Sequence, residues 1–106
     1  MRPIKRKANN NISNKAIAKT LYALRKERYL SQESVAEKIG VNRATYTYWE
    51  RSHCCPKLEI IELLSNAFEI SEAEFFEKYL KAKGEIKNAE RNNHVGETDS
   101  ESDSSN

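Results

Sequence analysis

Ser31–Glu50, SQESVAEKIGVNRATYTYWE, divides into two short amphipathic segments around a glycine corner. Ser31 is a good N-cap for a helix over Gln32–Ile39. Val35, Ala36 and Ile39 fall at i, i+1 and i+4 of that helix, on one buried stripe, and Ala36 is small enough to let a neighbouring helix approach. Gly40 follows the last apolar residue, where a left-handed backbone is expected and glycine adopts it without a side-chain clash. Val41 is expected to fold back into the core and Asn42 to cap a helix over Arg43–Arg51. Tyr46 and Trp49 lie three apart and share its inner face, while Arg43, Ala44, Thr47 and Tyr48 fall on its outer faces. Ile39-Gly40-Val41-Asn42 is too short for an antiparallel hairpin with long arms, so the two helices must meet at a sharp corner. The alternation Thr45-Tyr46-Thr47-Tyr48-Trp49 has high β-propensity. The cap before it and Glu50-Arg51 after it favour the helix.

Upstream, a helix over about Asn14–Arg28 is predicted, with Asn14 as its cap and Ile17, Leu21 and Leu24 as its apolar stripe. Downstream, Ser52-His53-Cys54-Cys55-Pro56 reads as a loop, because Pro56 disfavours helical geometry at Cys55 yet suits the first turn of a new helix. That helix is expected over about Lys57–Phe68, with Leu58, Ile61 and Leu64, or Ile60 and Leu64, turned inward together with Phe68. Ser71-Glu72-Ala73-Glu74 matches a capping box. The helix it opens carries Phe75, Phe76, Tyr79 and Leu80 and is expected to fade by Lys83-Gly84. Three segments follow: a basic disordered arm over 1–13, a folded unit over 14–83, and an acidic, serine-rich disordered tail over 84–106.

Charge is distributed unevenly along the 106 residues. The whole chain carries only +2. Residues 1–30 hold nine Lys/Arg against one acid, residues 31–83 seven against nine, and residues 84–106 two against six. A basic end beside a near-neutral core suggests a nucleic-acid contact there. The arm, with Arg2, Lys5, Arg6 and Lys7, either lies along phosphates or a minor groove, or is a plain solvated tail. The acidic tail is either solubilising or competes with nucleic acid for the basic surface. Hydrophobic content of 38% is low for a fully packed chain. No apolar run approaches the roughly 20 residues of a membrane span, and no apolar signal core follows the basic start, so a cytoplasmic protein with no membrane partner is expected. Cys54 and Cys55 are adjacent, which suits no loop-closing disulfide. A zinc site usually has four ligands, and only His53 and His94 are at hand to join the cysteines. Ordinary reduced thiols are expected, with redox sensing as the alternative, and neither metal nor cofactor.

The residues Leu24-Arg25, Leu30-Ser31-Gln32, Val35-Ala36, Ile39-Gly40-Val41, Tyr46, Trp49-Glu50, Pro56, Leu58, Leu64, Ala67, Ile70 and Phe75 together resemble the Cro/repressor-type, or XRE-like, helix-turn-helix family. The likeness spans about Ile17–Phe76. It implies an all-α, five-helix lambda-repressor-like DNA-binding domain whose third helix enters the major groove. Carried onto this chain, it implies that Gln32 and Asn42 touch phosphates at the starts of their helices. Arg43 and Ala44 would lie deepest in the groove, Arg43 suited to guanine O6 and N7 and Ala44 to a thymine methyl, with Thr47 and Tyr48 one turn on. Arg25 and Glu50 match a pair commonly salt-bridged in the family. Three positions depart from the pattern: Ser52 and Glu69 stand where glycine (or, for Glu69, asparagine) is usual, and Ser34 replaces a glutamate.

The implied activity is that of a sequence-specific double-stranded DNA-binding regulator, a repressor, acting as a homodimer on a palindromic operator. Phe75, Phe76, Tyr79 and Leu80 exceed what one short helix needs for a core and are the candidate dimer surface. The competing reading is an antitoxin or inhibitor that keeps the fold and works through a protein partner held by the tails. Catalysis is not expected. His53, Cys54 and Cys55 are consecutive in a loop, and neither a separately placed base nor an oxyanion site accompanies them.

Overall fold

A computed structural model describes residues 11–98. Five helices run in order: α1 Ile12–Glu27, α2 Gln32–Ile39, α3 Arg43–Glu50, α4 Leu58–Phe68 and α5 Glu72–Thr98. No strand occurs among the described residues, and Thr45–Trp49 is helical as its cap requires. α1 packs along α5 and against α3, α2 against α3 and α4, and α4 also meets α5. The core they enclose contains Ile17, Leu21, Leu24, Val35, Ala36, Ile39, Tyr46, Trp49, Ile61, Leu64, Phe68 and Phe75.

α1 begins before the expected point. Its N-cap is Asn11, whose side-chain oxygen accepts from the Asn14 N–H at 3.0 Å. Asn14 therefore lies inside the helix. Ala16, Ala18 and Thr20 are buried beside the expected stripe, so α1 is covered on more than one side. The buried Thr20 hydroxyl donates to the Ala16 carbonyl at 2.8 Å and leaves no orphan group.

The first four helices end in one way. After each, a residue takes a left-handed backbone: Tyr29 (φ 56°), Gly40 (φ 81°), Ser52 (φ 67°) and Glu69 (φ 62°). The next N–H reaches back five residues to a carbonyl at 3.0–3.1 Å: Leu30 to Arg25, Val41 to Ala36, His53 to Tyr48 and Ile70 to Ser65. This is the Schellman closure, in which an apolar residue just past the corner commonly packs onto the helix. Leu30, Val41 and Ile70 do so here. Glycine is present at one corner of the four.

Two expectations about the downstream helices need correction. Leu58 is 72% exposed, while Ile61, Leu64 and Phe68 are buried. Leu58 opens α4 after Lys57, and no described residue packs over that first turn to cover it. α5, in turn, does not fade at Gly84. It opens as expected, with the Glu74 N–H donating to the Ser71 hydroxyl at 3.0 Å, and then continues to Thr98. Its partner is α1. Ala82 is buried, Lys19 donates to Glu85 at 2.8 Å, and Lys15 to Glu90 at 3.2 Å. The Lys19 ammonium holds the Glu85 carboxyl below its ordinary range. These long-range contacts support a stretch whose own periodicity is weak. The remainder of the acidic tail and the arm up to Asn10 lie outside the described residues.

Arg25 and Glu50 form the expected ion pair, bidentate at 2.7 and 3.0 Å, with side chains only 11% and 5% exposed. Burial pushes the Glu50 carboxyl up, but hydrogen bonds from Arg25, Gln32 and Tyr46 outweigh it and hold the group below the usual carboxylate range. The same hydrogen bond to Glu50 raises Arg25.

Two stability tests follow from this packing. Leu64→Ala should cost about 2–5 kcal/mol in urea unfolding, whereas Leu58→Ala should stay within about 0.5 kcal/mol of wild type; equal losses would mean that Leu58 is covered. Glu50→Gln should cost about 3–5 kcal/mol at neutral pH, because Arg25 is left buried without its counter-charge. Since the folded-state pKa of Glu50 is depressed, the wild-type advantage is present above the unfolded carboxylate pKa and is lost as pH falls through the folded value. The two proteins should therefore converge in stability in acid, and a gap that stays constant with pH would exclude the buried carboxylate as its source.

Candidate nucleic-acid interface

α3 is an eight-residue helix with two unlike faces. Tyr46 is wholly buried and Trp49 nearly so, their rings edge to face with centroids 6.0 Å apart. Arg43, Ala44 and Tyr48 are exposed and Thr47 half-buried on the other side. Arg43, Ala44, Thr47, Tyr48 and Arg51 line one shallow groove. Arg51 was absent from the sequence-based set. It is four residues beyond Thr47 and eight beyond Arg43, so helical periodicity alone would have found it.

Asn42 caps α3 as expected, its side-chain oxygen accepting from the Thr45 N–H at 2.8 Å. Ser31 does the same for α2, accepting from Ser34 at 3.0 Å. Gly40 supplies the corner between them.

Gln32, the residue expected at a phosphate, is held by its neighbours in the domain. Its amide nitrogen donates to Glu50 at 2.9 Å, and its amide oxygen accepts from the Thr47 hydroxyl at 2.9 Å. Both ends of the side chain are engaged. Its side-chain amide is thus already committed within the domain. Tyr46 completes the network, its hydroxyl donating to Glu50 at 2.7 Å. Burial first, then that bond to Glu50, pushes the Tyr46 phenol far above its usual range, so it stays a neutral donor. Glu50 therefore gathers α1, α2 and α3 at one carboxylate and sets which face of α3 points outward. Arg28 plays a related part that the sequence did not announce. It donates to the Phe68 carbonyl at 2.7 Å and the Leu24 carbonyl at 3.1 Å, tying the end of α1 to the end of α4.

The loop after α3 is tethered to α1. Asn14 donates to the His53 carbonyl at 3.4 Å and accepts from the Cys55 thiol at 2.9 Å. His53 packs edge to face on Tyr48, centroids 4.9 Å apart. Both cysteines are free and exposed, and burial of its sulfur, then the neighbouring Cys54, pushes the Cys55 thiol up. No group of three potential metal ligands occurs among the described residues, and no helix there is long and apolar enough to cross a membrane.

The candidate dimer residues separate into core and surface. Phe75 is fully buried and belongs to the monomer core, which removes it from that set. Tyr79 is half-buried against the core, its hydroxyl 3.1 Å from that of Ser13. Phe76 and Leu80 are 37% and 60% exposed, one turn apart on α5. Leu58 joins Phe76 in one groove.

The helix-turn-helix family profile matches residues 21–75, from α1 through the first turn of α5. The transcriptional repressor RstR of the cryptic phage CTXphi, from Vibrio cholerae, is 45% identical over 51 residues, which are 48% of this chain and 46% of that protein. The match thus spans about half the length of that relative. Among solved structures, the clp gene regulator ClgR from Corynebacterium glutamicum superposes with a TM-score of 0.73 at 17% identity, over 78% of this chain and 88% of that one. The restriction-modification controller protein C.Esp1396I, solved as a tetramer with its natural 35 base-pair operator, gives 0.61 at 24% identity, over 67% of this chain and 93% of that one. With more than half of its length inside the family profile and its five helices in that fold, this chain belongs to the Cro/repressor-type, XRE-like helix-turn-helix family.

Proposed function

We propose that the chain is a sequence-specific double-stranded DNA-binding transcriptional repressor that reads the major groove with α3. One observation carries this reading. An eight-residue helix is locked by Tyr46, Trp49 and Glu50 on one side and offers Arg43, Ala44, Thr47, Tyr48 and Arg51 together on the other. Among the described residues no side-chain hydrogen bond or ion pair engages Arg43 or Arg51, and a two-sided short helix of this width fits the groove. The likeness to RstR, a transcriptional repressor, supports it, as does a protein of the same fold whose structure includes its operator. In this reading Arg43 and Ala44 meet base edges, Thr47 and Tyr48 the next bases or phosphates, and Asn42 and the Gln32 main chain the phosphate backbone. The family is one of regulators and not an enzyme class.

The dimer surface is assigned to Phe76 and Leu80, with Leu58 beside them. Three large apolar side chains exposed on neighbouring elements are the kind of patch a second copy covers. A two-fold dimer in turn requires a palindromic operator with half-sites about one helical turn apart.

In titrations against a duplex selected from a random pool, Arg43→Ala should weaken binding by about 1–3 kcal/mol and relax specificity at one base pair; undiminished affinity would exclude readout by Arg43. By sedimentation, the wild type should be a dimer at micromolar concentration and the Phe76→Glu/Leu80→Glu double variant a folded monomer. A monomeric wild type would exclude the dimer.

A further inference from the structure

We infer that Cys54 and Cys55 are a thiol–disulfide exchange site for small disulfides, which closes to a disulfide between the two neighbours and in doing so loosens the reading face of α3. The exchange is independent of the DNA-binding reading above, and its effect on α3 rests on that reading.

The loop after α3 is held to α1 through one thiol. The Cys55 Sγ–H donates to Asn14 Oδ1 at 2.9 Å, and Asn14 Nδ2 donates to the His53 carbonyl at 3.4 Å. His53 closes the end of α3, its N–H donating to the Tyr48 carbonyl at 3.1 Å, and its ring lies on the Tyr48 ring with centroids 4.9 Å apart. Tyr48 lines the outer groove of α3. A chain of contacts thus runs from a cysteine proton to a side chain of the reading face. Both cysteines are exposed and free. A serine hydroxyl would serve the Asn14 tie with a stronger donor than a thiol. Cys54 has no part in that tie, since no side-chain hydrogen bond holds it among the described residues. It is therefore the first thiol a solute disulfide meets, with Cys55 beside it to complete the exchange.

The Cys54 thiolate attacks one sulfur of a small disulfide, RSSR, forming a mixed disulfide and releasing RS−. The Cys55 thiolate then attacks the Cys54 sulfur and expels the second RS−. Two protein thiols are oxidised, RSSR is reduced to two RSH, and the protons given up by the cysteines end on the released thiols. Neighbouring Cα atoms stand about 3.8 Å apart across a trans peptide, short of the roughly 4.4–6.8 Å usual for a disulfide. The ring is therefore strained, and a strained, exposed disulfide is readily reduced again. It forms under an oxidising thiol balance and reopens when thiols return. Once Cys55 is in the ring its sulfur carries no proton, so Asn14 Oδ1 loses its donor. Closing the ring also twists the peptide next to His53, and the His53 ring is no longer held against Tyr48. Tyr48 must then be ordered afresh on binding DNA, a cost of about three- to tenfold in affinity for one such side chain.

The test incubates the full chain with glutathione disulfide and glutathione at set ratios. Intact mass is followed, and affinity for the selected duplex is measured on the same samples. The wild type should lose two hydrogens without forming a covalent dimer, bind the duplex about three- to tenfold more weakly, and recover on both counts with dithiothreitol. The Cys54→Ser/Cys55→Ser double variant keeps a donor to Asn14 and cannot be oxidised, so it should bind like the reduced wild type at every ratio. Cys55→Ala removes the donor without any oxidant and should weaken binding under reducing conditions to a similar extent. A wild type that stays reduced, stops at a glutathione adduct, or joins two chains through sulfur overturns the exchange site. A closed ring with unchanged affinity, or a silent Cys55→Ala, overturns the link to Tyr48. Arg43→Ala run in parallel separates this from the α3 reading. If the reduced wild type binds no duplex, or Arg43→Ala is silent, the α3 reading fails. The exchange is then still decided by mass, and the link by whether the Tyr48 ring resonances shift on oxidation; no shift overturns it.

Discussion

The Glu50 carboxylate is the joint on which the orientation of the reading helix depends. It accepts two hydrogen bonds from Arg25, one from Gln32 and one from Tyr46. An ionised carboxylate has about four lone-pair sites, so the buried charge is fully satisfied. The Arg25 nitrogen not directed at Glu50, Nη1, donates to the Leu30 carbonyl at 2.9 Å. Taking such a pair out of water costs several kcal/mol per ion, and a well-packed apolar cluster often holds helices as firmly. What apolar contacts lack is direction. Three bonds from α1 and α2 fix the rotation of α3 about its own axis, and the fourth, from Tyr46 within α3, aims the carboxylate. A roll of one residue, about 100°, would carry Glu50 away from Arg25 and Tyr46 out of the core together.

That constraint matters because α3 has little to hold it otherwise. At eight residues it is shorter than any helix stable alone in water. Its sequence is rich in threonine and aromatic residues, which are modest helix formers. It has neither acids in its first turn nor bases in its last to complement the helix dipole. Its stability comes from Tyr46 and Trp49 below and from Glu50 at its end. The outer residues are thereby released from structural duty, with Thr47 as the exception through its bond to Gln32. The strand-like alternation of Thr45–Trp49 and the helix that forms are reconciled in the same way: packing and the Asn42 cap override local propensity.

Much of this was legible in the sequence, and the boundary of what was not is physical. Apolar stripes are local features, so Ile17, Leu21 and Leu24, the Val35-Ala36-Ile39 set, and Tyr46 with Trp49 could be read directly. The Gly40 corner and the caps at Ser31, Asn42 and Ser71 were equally plain. The errors fall where a residue's role depends on a distant partner. Asn11 rather than Asn14 caps α1, and the Asn14 side chain instead bonds the loop at His53 and Cys55, 39 and 41 residues away. α5 continues past Gly84 along α1, where Lys15 and Lys19 pair with Glu90 and Glu85, 75 and 66 residues away. Leu58 and Phe75 satisfy their helical patterns equally well, and only the packing of α4 and α5 separates an exposed leucine from a core phenylalanine. At the candidate interface, Arg43, Ala44, Thr47 and Tyr48 stand outward as their spacing implied. The engagement of Gln32 by Glu50 and Thr47 had no local signal.

The four helix ends show why this fold tolerates unusual residues at its corners. Each corner is closed by a backbone bond reaching back five residues, and three of them by an apolar side chain set into the core. The left-handed residue is thus over-determined by its neighbours, and a strain of about 1–3 kcal/mol does not reopen the turn. Space is not what demands glycine at Gly40, since an added Cβ would meet nothing within 4 Å. Only φ favours it there, and Tyr29, Ser52 and Glu69 hold similar values with side chains attached. In a domain whose whole stability is on the order of 5–15 kcal/mol, three such corners are a substantial concession. Leu30 and Ile70 offset it at two of them, and their packing against the core is what leaves Tyr29 and Glu69 free to carry side chains directed away from the protein.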